Sequence, residues 1–202
     1  MEKRDLLVIG GGPAGAATAI RAARAGVNVT VFEKGARGRD KVCGDGLTPR
    51  AVAALNELEI DMEDAHRIDG LRMIADKTRR ELPWPDNGRF APHGAVWPRR
   101  RLDEKLISVA EESGADIRFE TEALPILDGE KVVGVEAGGT KFEAPMTVVA
   151  TGAPGAVARM LGAERDPNEP FGLAIRTYAE SPRHDDRHLE ACLTLKDEHG
   201  TA

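Results

Sequence analysis

The stretch "DLLVIGGGPAGAATAIRAARAGVNVTVFEK", residues 5–34, constrains the fold more than any other part of the chain. Residues 5–10 form a short, continuous apolar run ended by glycine, the pattern of a buried strand. Residues 13–26 are alanine-rich and close at Gly26, which predicts a helix. Residues 27–32 return to β-branched side chains and predict a second strand. A strand, a glycine turn, a helix and a strand make a βαβ unit, so the two strands lie parallel in one sheet. The fold class that follows is α/β.

Gly10, Gly12 and Gly15 form GxGxxG where the first strand ends and the helix begins. The first glycine permits the tight turn, the second lets the backbone approach a pyrophosphate, and the third allows close helix–strand packing. The unpaired amides at the helix start then face the phosphates with partial positive charge. Glu33 ends the second strand, 33 − 15 = 18 positions after the last glycine. An acid there can accept the hydroxyl hydrogens of an adenosine ribose, and it disfavours a 2′-phosphate. Its removal is expected to weaken cofactor binding with little change in melting of the cofactor-free protein. Pro13 and Ala14 beside the glycines, and Lys34 beside the acid, belong with them as expected cofactor-binding residues. FAD and NAD both carry the ADP moiety, so the motif alone leaves the choice open.

Further along, Thr48-Pro49 reads as a cap followed by proline at the first helical position, opening a helix to about residue 58. Residues 70–84 read as two strands around a turn, 102–114 as an amphipathic helix and 115–120 as a strand. Three short strands follow, with Asp128-Gly129 and Gly138-Gly139 as turns, a β-meander. Residues 146–151 predict another buried strand, and 171–180 and 188–195 alternate like strands of a second sheet. The expected segments are 1–68 and 96–160 for the nucleotide domain, with 69–95 and 161–202 for a β-rich substrate domain.

A net charge of -6 argues against a nucleic-acid binder. No apolar run reaches the roughly 18–20 residues of a membrane span, and glycines interrupt the first apolar stretch too early for a signal peptide. Cys43 and Cys192 form no CxxC pair. The expected location is cytoplasmic. His184 and His188 lack a third candidate ligand, so no metal site is expected.

The stretch "EKGARGRDKVCGDGLTPR", residues 33–50, resembles the geranylgeranyl reductase family of flavoproteins, within the para-hydroxybenzoate hydroxylase-like group. In that family a lysine, a Cys-Gly pair, a glycine and a Pro-Arg follow the ribose acid. They fall here on Lys41, Cys43-Gly44, Gly46 and Pro49-Arg50. The resemblance continues with Arg99 before Leu102-Asp103 and with Ala123 opening the meander, and it is greatest to actinobacterial members acting on isoprenoid chains, including those of menaquinone. It selects FAD over NAD and implies a Rossmann-like FAD/NAD(P)-binding domain with a β-meander, plus part of the substrate domain. Cys43, Gly44, Gly46, Arg99 and Ala123 are the cofactor-contacting positions it implies, with Cys43 as the catalytic candidate beside the flavin.

The activity implied is FAD-dependent reduction of carbon–carbon double bonds of a geranylgeranyl or menaquinone-type chain, with NAD(P)H as electron donor. Two alternatives stand beside it: a flavin monooxygenase or halogenase on the same scaffold, and a flavin-binding chain without turnover. The resemblance departs in two places. The family shows an acid and a nearby serine after the last strand of the sheet, where this chain has Thr151 and Gly155. The family also continues past "DEHGTA" with a flavin-closing motif, a lipid pocket and any peripheral membrane contact. The chain as written is therefore expected to bind FAD weakly, to be poorly soluble and not to turn over.

Overall fold

The computed structural model describes residues 1–86, 88–153, 155–164, 166, 168–170, 172 and 174–194. In chain order the elements are β1 (Glu2–Lys3), β2 (Leu6–Ile9), α1 (Pro13–Arg24), β3 (Val29–Phe32), β4 (Gly46–Leu47), α2 (Pro49–Glu57), β5 (His66–Ile68), β6 (Gly70–Ala75) and β7 (Thr78–Pro83). They continue with β8 (Gly94–Val96), α3 (Arg99–Glu112), β9 (Asp116–Arg118), β10 (Ala123–Asp128), β11 (Lys131–Ala137), β12 (Thr140–Glu143), β13 (Met146–Val149), α4 (Ala156–Met160) and β14 (His188–Cys192). Two compact units result: Met1–Lys41 with Arg99–Ala174, and Val42–Pro98 with the chain from Ile175 onward. These breaks differ from the sequence-based boundaries because β4 and β5 both pair with β8, which keeps residues 42–68 with 69–98.

In the first unit, β13, β2, β3 and β9 form a parallel sheet in that order. The apolar runs of β2 and β3 are buried at every position, as strands covered on both faces must be. The helix α3 turns Leu102, Leu106, Ile107 and Ala110 inward and packs on α1. It begins at Arg99, three positions ahead of the expected start, and a bidentate Arg99–Asp103 pair (2.7 Å for both bonds) ties the first turn to the second. The expected meander forms a sheet of order β1-β12-β11-β10, in which β1 runs parallel to β12. Phe142 of β12 meets Phe32 at the end of β3, with ring centroids 4.9 Å apart, so meander and parallel sheet share one core.

The second unit holds the antiparallel sheet β4-β8-β5 and the sheet β14-β6-β7, in which β14 runs parallel to β6. Thr48 caps α2 as expected, its hydroxyl accepting the Ala51 N–H. The expected strand over 171–180 does not form among its described residues. Ile175 is 98% exposed, and the alternating pattern there has no neighbouring strand to bury its apolar face. The second expected strand is observed as β14, and residues 195–202 lie outside the described residues. No helix among the described residues is long and apolar enough to cross a membrane.

Arg72 of β6 is buried, and its guanidinium meets Glu81 of β7 at 2.9 Å, Glu190 of β14 at 3.1 Å and Asp186, thereby tying all three strands together. The Arg72 hydrogen bond holds the Asp186 carboxyl down at about 2, from an ordinary 3.8. The Arg183 hydrogen bond, with Arg72 behind it, does the same for Glu190, from 4.5 to about 2. Carboxyls lowered by folding stabilise the fold above their unfolded values, and that stabilisation is lost as pH falls through the folded ones. The second unit should therefore lose stability between roughly pH 4.5 and pH 2. An Arg72→Met variant should melt lower at neutral pH and lose the part of this acid sensitivity that Asp186 carries, as followed by circular dichroism.

Candidate functional site

The C-terminal ends of β2, β3 and β13 meet at one edge of the parallel sheet, with β3 and β13 on opposite sides of β2. Strand order reverses at such a point, and α/β proteins bind ligands there. A cleft of about 130 Å³ opens at this edge, lined by Gly10 and Gly12 after β2, Glu33 and Lys34 after β3, and Ala150 and Thr151 after β13. Arg39, Lys41, Glu122, Ala123 and Gly155 complete much of its wall.

The glycine turn is built by crowding. Gly10 has φ +108°, and a Cβ there would lie 2.5 Å from the Ala150 carbonyl oxygen. A Cβ on Gly15 would lie 1.8 Å from the Gly10 oxygen, so helix and strand meet through bare backbone. Gly12 differs, because a Cβ there would meet nothing within 4 Å. Gly12 is also the N-cap of α1 and supplies no side-chain cap, Pro13 follows at the first helical position, and no acid sits in the first turn. The uncapped amides and the open space above Gly12 fit a bound diphosphate.

Glu33 is buried, and the protein itself engages its carboxylate. Oε2 accepts the Gly11 N–H at 2.8 Å, while Oε1 accepts the Gly35 N–H at 2.8 Å and Arg39 Nε at 3.0 Å. Burial pushes the carboxyl up, but the Arg39 hydrogen bond and the Gly35 and Gly11 amides outweigh it and hold Glu33 below the usual carboxylate range. A carboxylate offers about four acceptor positions. Three are in use, and Oε2 retains one for a ribose hydroxyl.

Sequence reasoning missed Arg39, whose only signal is a cation six positions after Glu33 in a basic, glycine-rich loop. Arg37 anchors that loop to α3 through Glu104 at 2.8 Å and Glu111 at 2.8 and 2.9 Å. Glu104 and Asp103 thus serve Arg37 and Arg99, while Arg100 and Arg101 lie exposed.

Of the residues expected to contact cofactor, Gly10, Gly12, Glu33, Lys34 and Ala123 line the cleft. Pro13 and Ala14 open α1, and Gly15 is buried beneath the turn. Arg99 belongs to the same unit but does not line the cleft; its guanidinium is held by Asp103. Cys43, Gly44 and Gly46 belong to the second unit. There a Cβ on Gly44 would meet nothing within 4 Å, and one on Gly46 only ordinary contact with Leu189 at 3.5 Å. The two positions that depart from the family pattern are coupled. A Cβ on Gly155 would stand 2.9 Å from Thr151 Oγ1 and 2.8 Å from the Gly152 oxygen, so this geometry excludes a serine at 155.

The chain is similar to proteins of known identity. A menaquinone reductase from Mycolicibacterium smegmatis is 37% identical over 203 residues, spanning 98% of this chain and 49% of its own length. A digeranylgeranylglycerophospholipid reductase from Methanopyrus kandleri is 32% identical over 166 residues, or 78% of this chain and 42% of its own. The chain thus spans about half the length of the curated relatives it matches. Among solved structures, a geranylgeranyl bacteriochlorophyll reductase-like protein from Thermoplasma acidophilum has a TM-score of 0.64 at 29% identity, covering 75% of this chain and 40% of its own. A myxobacterial chondrochloren halogenase has a TM-score of 0.68 at 25% identity, covering 79% and 39%. The relatives bear out the resemblance read from the Cys43 segment, and residues 3–200 match the FAD binding domain family. By that match, and by the glycine turn and buried acid that close its cleft, the chain belongs to the FAD binding domain family.

Proposed function

We propose that this chain serves an FAD-dependent reductase that saturates carbon–carbon double bonds in an isoprenoid chain of the geranylgeranyl or menaquinone type. The cleft at the strand ends carries the reading. It combines a free acceptor on Glu33 with uncapped α1 amides and the cations Lys34, Arg39 and Lys41, a set suited to an adenosine diphosphate. The substrate class is inferred from the relatives named as menaquinone and digeranylgeranylglycerophospholipid reductases.

Bound FAD in its reduced form supplies a hydride. Glu33 would hold the ribose, the α1 amides the diphosphate, and Gly12 the clearance between them. Cys43 is proposed to stand beside the flavin and release a proton from Sγ to the carbon left after hydride addition. Cys43→Ser is expected to leave FAD bound and slow substrate reduction about a hundredfold. An unchanged rate would remove Cys43 from the chemistry.

NAD(P)H is proposed as the electron donor. Its test is anaerobic bleaching of the flavin band, with dithionite as the control for a reducible flavin. The activity test incubates the flavin-loaded protein with reductant and polyprenyl substrate and looks by mass spectrometry for one added H₂ per double bond. The likeness to a solved halogenase supports a second reading, oxygen-dependent chemistry. Substrate-dependent oxygen uptake with no saturated product would favour it and overturn the reductase assignment.

A further inference from the structure

We propose that Tyr178 is a positioning residue for the Cys43–Gly46 segment, acting through Asp45. The inference rests in part on the reading that this segment serves the flavin. Its observations lie wholly within the second unit. Asp45 stands between Cys43-Gly44 and Gly46, is 5% exposed, and has φ +57°. That left-handed conformation is uncommon for a residue other than glycine, although aspartate and asparagine tolerate it best. It falls directly after Cys43-Gly44 and immediately before Gly46–Leu47, which pair with β8.

Asp45 is held through both its backbone and its side chain. On one side the Asp45 carbonyl accepts the Trp97 N–H at 2.9 Å. On the other, Tyr178 donates its hydroxyl hydrogen to Asp45 Oδ2 at 2.7 Å. Arg176 in turn donates to the Tyr178 oxygen, stacks over its ring with the guanidinium carbon 4.4 Å from the centroid, and stands 3.9 Å from Asp45 Oδ2. Residues 174–180 form no helix or strand, so these contacts are not by-products of a ladder. A phenol and a guanidinium converge on a buried carboxylate two positions from Cys43.

Hydrogen bonding to the Asp45 carboxylate pushes the Tyr178 phenol up. The hydroxyl thus stays protonated and donating throughout the neutral range. What Tyr178 fixes is the conformation of the segment, and with it the access to Cys43, which is half-buried.

The chain has two cysteines, so in a Cys192→Ser background iodoacetamide consumption reads Cys43 alone. Tyr178→Phe keeps the ring and removes the hydroxyl. In the flavin-free chain it should raise the Cys43 alkylation rate about tenfold, the factor by which losing one hydrogen bond to a charged group shifts a local opening equilibrium. Asp45→Asn keeps an acceptor and tolerance of positive φ but loses the charge, and should fall between the parent and Tyr178→Phe. Asp45→Gly relieves the backbone but removes the acceptor, and should match Tyr178→Phe. An unchanged rate in Tyr178→Phe, or parental protection in Asp45→Gly, overturns the proposal. With FAD bound, Tyr178→Phe should also shift the visible flavin band. Accelerated alkylation with an unmoved band leaves the role of Tyr178 standing and instead overturns the placement of Cys43 beside the cofactor.

Discussion

Gly15→Ala is expected to destabilise the first unit strongly, whereas Gly12→Ala should leave it stable and weaken its FAD binding. The Gly15 Cβ would fall 1.8 Å from the Gly10 carbonyl oxygen and 3.0 Å from its carbon. Neither atom belongs to a side chain that can rotate away, so helix and strand must separate. Overpacking a core typically costs about 1–3 kcal/mol, and a clash against backbone belongs at or above the top of that range. A domain stable by about 5–15 kcal/mol loses a large share of it. Gly10→Ala should behave alike, combining a 2.5 Å clash with the Ala150 oxygen and a φ of +108°. At Gly12 the added methyl meets nothing within 4 Å, so the flavin-free chain should lose about 1 kcal/mol at most, from the poorer helix cap. The open space there belongs to the ligand, and FAD affinity should fall about tenfold or more. Thermal melting of the flavin-free variants and fluorescence titration with FAD separate the two effects. A stable Gly15→Ala chain, or a Gly12→Ala chain with parental FAD affinity, would contradict the division of labour.

Glu33→Gln should weaken FAD binding and, contrary to the expectation from sequence, lower the stability of the flavin-free chain as well. The carboxylate receives three protein donors, the Gly11 and Gly35 amides and Arg39. A glutamine keeps one acceptor oxygen and turns an NH₂ group toward at least one of those donors. Leaving a buried donor unsatisfied costs about 1–3 kcal/mol. Loss of the charged acceptor for the ribose should weaken FAD roughly 10- to 150-fold, the equivalent of one hydrogen bond to a charged group. Glu33 is held below the ordinary carboxylate range, so its stabilisation is full above the unfolded value near 4.5 and lost as pH falls through the lowered folded one. Glu33→Gln has no such carboxyl and should lose less stability on acidification than the parent. Melting curves of both chains from pH 7 downward check the sign, and parallel curves would contradict it.

Local signals made the frame legible. A short apolar run, a glycine turn and an alanine-rich helix each obey near-neighbour rules, so β2, α1 and β3 lie where residues 5–32 put them. Asp128-Gly129 and Gly138-Gly139 placed the meander turns by the same logic, and Thr48-Pro49 placed α2. Gly10, Gly12 and Glu33 could be placed together at one cleft because the βαβ unit fixes their spacing. The partition of the chain was not readable. Residues 46–47 pair with 95–96 across some fifty positions, and periodicity carries no information about which strands meet. Residues 174–180 alternate like a strand, but whether a neighbour exists to bury the apolar face is a fact of three dimensions.

The sequence by itself determined the α/β class, the glycine turn and the place of the acid that follows it, because each is set by steric and hydrogen-bonding demands within one supersecondary unit. The tertiary structure decided how charges are partnered. Arg72 looks from sequence like one cation in a polar hairpin, yet folding buries it among Glu81, Asp186 and Glu190. Glu33 reads from sequence as a ligand residue, and in the fold its carboxylate is held by Arg39. Asp45 meets Tyr178 from 133 positions away. A carboxylate accepts whichever donor arrives, and only the packing of distant segments determines which one does.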